Sequence, residues 1–81
     1  MEYAMRDMSI GGVGVYSTDT AGIGTVLEVY PDGENMIQAR VVRCVTNDDE
    51  NNFQFPYILG CEWMGNLPES VLQHIRNSPE I

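Results

Sequence analysis

The chain has 81 residues, enough for one domain spanning 1–81, and a domain of that size buries only about 60% of the surface its unfolded chain exposes. An apolar fraction of 43%, with one Trp, four Tyr and two Phe, is that of a globular protein and excludes a disordered chain. Four arginines, no lysine and twelve carboxylates give a net charge of −8, a field that repels polyanions and anionic membranes and excludes general DNA or RNA binding.

Short Gly, Pro and Asp/Asn clusters punctuate the chain as in a meander of strands, without an internal repeat. Gly12 to Ser17 puts Val13 and Val15 on one face and Gly14 and Tyr16 on the other, the period of a half-buried strand. Ser17 to Gly24 reads as loop. Thr25 to Tyr30 resumes a β-branched run with Leu27 and Val29 on one face. Pro31-Asp32-Gly33-Glu34-Asn35 combines a preset φ with an Asp-Gly pair and predicts a hairpin turn. Met36 to Thr46 carries apolar residues on both parities, which predicts a strand covered on both faces. Asn47 to Asn52 reads as a solvated hairpin tip; Asp48, Asp49 and Glu50 lack the alternating ligand positions, central Gly and closing Glu of a calcium loop. Pro56 to Met64 predicts a last strand with Tyr57, Leu59, Cys61 and Trp63 on its buried face, and Gly60 marks a bulge or a close backbone approach.

After Gly65-Asn66 the period lengthens to that of a helix, with Leu67, Val71, Leu72 and Ile75 on one stripe. Asn66 is the predicted cap, Pro68 to Arg76 the predicted helix packed across the strands, and Ser78-Pro79 its stop. His74, the only histidine, reads as a solvated helix residue, and Cys44 and Cys61, without metal-ligand spacing, read as buried reduced thiols. No stretch approaches the roughly 20 apolar residues of a membrane-spanning helix, and the first residues show no signal pattern, so a cytoplasmic protein is expected. One histidine, no Gly-elbow nucleophile and no metal spacing leave no catalytic machinery to assign, so an enzyme is not expected.

The constellation that stands out is Arg6-Asp7-Met8-Ser9-Ile10-Gly11-Gly12, a D-x-S-x-x-G motif running into the first clear strand. Asp7 offers two acceptor oxygens suited to the N1–H and N2–H edge of a guanine, Ser9 a hydroxyl, and the glycines a close backbone approach. An Asp-Ser-Gly turn is also an ordinary way to enter a strand, so the motif by itself leaves both readings open.

The order of elements around this motif resembles the PilZ family from Arg6 to about Ile75. Asp7 to Val15 matches its D-x-S-x-x-G and following strand, Ala39 to Val45 resembles its V-V-R strand, and Leu59-Gly60-Cys61-Glu62-Trp63 is similar to its closing G-x-x-F strand, with Trp63 in place of Phe. The resemblance implies a mainly β fold: an antiparallel barrel of the six-stranded type, complete or missing its first strand, with one C-terminal helix. It also implies a bacterial receptor for the second messenger cyclic di-GMP that signals to a protein partner, with no further cofactor. The family's second motif, R-x-x-x-R, has no match, because Glu2 to Arg6 has the spacing but a carboxylate in the first place. The expected ligand residues are therefore Asp7, Ser9 and Gly12, with Arg6, Arg40 or Arg43 replacing that arm. The alternative is a barrel of this type that binds no nucleotide and works through protein contacts, as a homodimer or with a partner that pairs with an open strand edge.

Overall fold

The computed structural model describes residues 2–49 and 54–77, so the predicted hairpin tip beyond Asp49 and the Ser78-Pro79 helix stop lie outside the described residues. Among the described residues there are five antiparallel strands: β1 (Tyr3–Met8), β2 (Gly12–Ser17), β3 (Val26–Val29), β4 (Ile37–Thr46) and β5 (Tyr57–Trp63). They form one sheet in the order β1-β2-β5-β4-β3, curled into a half-barrel, with one helix, α1 (Glu69–Asn77), at the C-terminal end. The last strand is thus the central one. It joins the β1–β2 hairpin to the β3–β4 hairpin, pairing Leu59 with Val15 on one side and with Cys44 on the other.

The buried face is the one the alternation predicts. Val13, Val15, Leu27, Val29 and Leu59 are buried, and Ala39, Val41 and Cys61 complete the cluster. Burial of each large aliphatic side chain stabilises by about 1.5–3 kcal/mol, so these residues dominate a small domain. Both cysteines are free; Cys61 is buried and Cys44 half-buried, and burial raises the Cys61 thiol above its ordinary pKa, which keeps it protonated and unreactive.

Three expectations about the strands need correcting. First, β1 has no counterpart among the predicted strands, because a bulge between Met5 and Asp7 breaks its alternation and shifts its register on β2 by one residue. Secondly, β4 is not covered on both faces: Gln38, Arg40, Val42 and Val45 are exposed. Its apolar residues on both parities have another cause. A bulge between Val41 and Arg43 inserts Val42 and inverts the parity, so Ile37, Ala39 and Val41 face inward before it and Cys44 after it. Thirdly, Trp63 is half-buried at the end of β5, packed against the edge of the core, and its indole Nε1–H donates to the Ser9 carbonyl at 2.8 Å. An indole at a strand end keeps one side wet and needs a partner for its N–H. Trp63→Phe, which keeps most of the ring and removes that donor, is expected to lower stability by about 0.5–1.5 kcal/mol. An unchanged urea midpoint would show that the bond contributes nothing.

The helix docks on the β3–β4 turn more than across the strand faces. Gly33 takes the left-handed φ of +81° anticipated from the Asp-Gly pair, and its N–H donates to the Tyr30 carbonyl at 3.1 Å. The Asp32 carboxylate accepts from the backbone N–H of Glu34 at 3.0 Å and of Asn35 at 2.8 Å, and from the Ser70 hydroxyl on α1 at 3.2 Å. Asn35 Nδ2 donates to Asp32 at 2.7 Å and to Ser70 at 2.9 Å, closing a polar clip between turn and helix. The backbone donors of Asn35 and Glu34, with the Asn35 amide next, hold the Asp32 carboxyl well below the usual carboxylate range. The clip is therefore intact above the ordinary carboxylate pKa and loosens only as the pH falls through that depressed value. Val71 is the fully buried helix residue. Glu69 opens the helix, so Pro68 stands at the cap position predicted for Asn66, and its carbonyl accepts from Val71 and Leu72.

Candidate functional site

The two bulges flank one row of the outer sheet face. Asp7 on β1 pairs with Gly14 on β2, Gly14 with Gly60 on β5, and Gly60 with Arg43 on β4. Two side chains are missing from the middle of this row, and those at its ends lean over the gap. A Cβ on Gly14 would lie 2.5 Å from Asp7 Oδ1, and one on Gly60 would lie 3.6 Å from Arg43 Nε. A shallow depression of about 520 Å³ results, floored by backbone, with Arg6 and Asp7 on one wall and Val42 and Arg43 on the other.

Gly12 and Ser9 come to the same depression because the motif is a hairpin and not a loop preceding a strand. The Ser9 N–H donates to the Gly12 carbonyl at 2.8 Å, leaving Ile10 and Gly11 as a two-residue turn. Trp63 ties this tip to β5 through its indole bond and through its own N–H, which reaches the Gly11 carbonyl at 3.4 Å. The path of the chain also requires a glycine at 12: a Cβ there would collide with the backbone carbonyl oxygen of Cys61 and stand 3.3 Å from its carbon.

Of the residues the motif and the arginine count single out, Arg6, Asp7, Ser9, Gly12 and Arg43 line this one depression. Arg40 does not. It lies one row away on the same face, directly opposite Glu62, and its guanidinium is paired with that carboxylate. The Arg6 guanidinium donates to the Asp7 carboxylate at 2.6 Å, with both side chains well exposed, so this pair adds little stability and can open at small cost. Arg43 has no carboxylate partner among the described residues. The site therefore offers a carboxylate acceptor already held by one cation, a guanidinium without a carboxylate partner among the described residues, and a half-buried floor of glycine peptide over which both side chains lean. Sequence reasoning placed Gly14 on the outward parity and flagged Gly60, but it did not find that the two are neighbours. That depends on the β2–β5 register, for which local pattern carries no signal.

Comparison with known proteins finds no matching family model and no significant match among characterised proteins or solved structures. The likeness to the PilZ family rests on the residues quoted above. Among the described residues no group of His, Cys, Asp and Glu is placed to hold a metal ion, and no helix is long and apolar enough to cross a membrane.

Proposed function

We propose that the chain is a ligand-receiving module and not an enzyme, and that the depression over Gly14 and Gly60 takes a guanine nucleotide of the cyclic di-GMP type, whose binding is passed to a protein partner. The observation that carries this reading is the Asp7–Gly14–Gly60–Arg43 row. Its floor lacks side chains where a flat base would lie, and its walls carry opposite charges that converge from two strands. A guanine N1–H and N2–H edge donates to Asp7, and a phosphate accepts from Arg43, with Arg6 released from Asp7 as a second cation. Both are charge-assisted bonds, each worth about 1.5–3 kcal/mol. The overall charge of −8 opposes a polyanion but not a small ligand that meets local groups.

Calorimetry with cyclic di-GMP on the folded protein tests the reading. Asp7→Ala is expected to weaken binding by about 1.5–3 kcal/mol while leaving the urea midpoint nearly unchanged, because the Arg6–Asp7 pair is exposed. Gly14→Ala is the sharper variant. The new methyl occupies the place of the Asp7 carboxylate, a flexible group that can swing away, so affinity should fall about as far as in Asp7→Ala with little loss of stability. If the wild type gives no heat at millimolar ligand while folded, the nucleotide reading fails. If Gly14→Ala binds as tightly as wild type, the carboxylate is not where the ligand sits.

A further inference from the structure

Among the described residues the half-barrel does not close. Its two edge strands, β1 and β3, face each other without backbone pairing, and the link across the gap is a side chain: the Tyr3 hydroxyl on β1 donates to the Glu28 carbonyl on β3. The alternation of each ladder shows which groups line this seam. Glu2 bonds toward β2 through the N–H of Thr18, and Thr25 bonds toward β4 through the N–H of Val41. The N–H and C=O groups of Tyr3 and Met5 on β1, and of Val26 and Glu28 on β3, therefore point away from their partner strands and into the seam.

The length of the tyrosine limits the width of the gap. From Cα to hydroxyl a tyrosine reaches about 6.5 Å, and with one hydrogen bond the Tyr3 backbone lies within about 9 Å of the Glu28 carbonyl. β1 and β3 face each other across this seam as the two unpaired edges of the sheet, with the Tyr3 side chain spanning it. Met5 marks the same seam from inside. It pairs with the fully buried Val15 and so faces the interior, yet it is 37% exposed, because no strand among the described residues continues the sheet beyond β1.

We propose that an extended, basic segment of a partner protein docks in this seam as an added strand between β1 and β3. The charge decides the kind of occupant. Glu2 and Glu28 are exposed at the two edges, on a chain with net charge −8. A second copy would bring −8 against −8, whereas lysines or arginines on the outward parity of an added strand meet these carboxylates, and its inward parity covers Met5. The bulge after Met5 ends the regular edge of β1, so the added strand is short and its register defined. This surface is separate from the glycine-floored depression, whose lining includes none of Tyr3, Met5, Val26 and Glu28.

The test is amide hydrogen exchange on the full chain with a capped peptide alternating lysine and valine, against a control alternating glutamate and valine. The lysine peptide is expected to slow exchange at Tyr3, Met5, Val26 and Glu28 at least tenfold, leaving Leu59 on the central strand unchanged. Tyr3→Phe, which frees the Glu28 carbonyl, is expected to tighten that binding several-fold, an effect opposite to that of a merely weakened fold. The proposal is overturned if the lysine peptide gives no protection at these four amides, or if the glutamate peptide protects them equally. It is also overturned if they become protected without peptide as the protein concentration rises, which would make the occupant a second copy.

Discussion

Gly12→Ala is expected to destabilise the domain by about 3 kcal/mol or more, a large share of the roughly 5–15 kcal/mol that holds a domain together. The methyl would be driven into the Cys61 carbonyl oxygen and 3.3 Å from its carbon. Both are backbone atoms of the central strand, so no side chain can turn away to make room. The clash is relieved only by moving β2 off β5, which breaks the Gly12–Glu62 and Val13–Cys61 pairings and opens the core at Val13. The other glycines of the outer face set the contrast. At Gly14 the obstacle is a carboxylate that can rotate, and at Gly60 the nearest atoms are 3.6 Å away, an ordinary contact. Urea denaturation of the three alanine variants should therefore rank Gly12 far below the other two. Equal midpoints would mean that the β2–β5 approach is looser than its geometry requires.

Leu59→Ala is expected to cost about 2–5 kcal/mol, toward the upper end. Leu59 is fully buried in the strand that joins the two hairpins, between Val15 and Cys44. Its removal leaves a cavity between strands whose backbones are fixed by pairing on both sides, so the site cannot collapse to fill it. Trp63→Ala removes a larger side chain but should cost less per atom, because that ring is half exposed at the strand end. A thermal melt in which Leu59→Ala stays near wild type would show that the half-barrel interior tolerates voids.

The residues of the candidate site were legible to different degrees. Asp7, Ser9 and Gly12 stand together in a motif, and Arg43 was one of only four cations to consider. Nothing local separated Arg43 from Arg40, which have similar neighbours in one strand. The bulge at Val42 separates them, moving Arg43 into the row of Gly14 and Gly60 while Arg40 stays opposite Glu62 and is neutralised by it.

The strands Gly12–Ser17, Val26–Val29, Ile37–Thr46 and Tyr57–Trp63, the Asp-Gly turn and the helix were determined by the sequence itself. Period-two alternation, a glycine able to take positive φ and a 3.6-residue stripe are local signals that no distant contact has to supply. Strand β1, the central place of β5, the one-sided exposure of β4 and the unclosed seam were decided by tertiary structure. Each depends on a bulge or on which strand lies beside which. A single inserted residue inverts the face of everything after it, and pairing is set by how two hairpins and a later strand bury their apolar faces together.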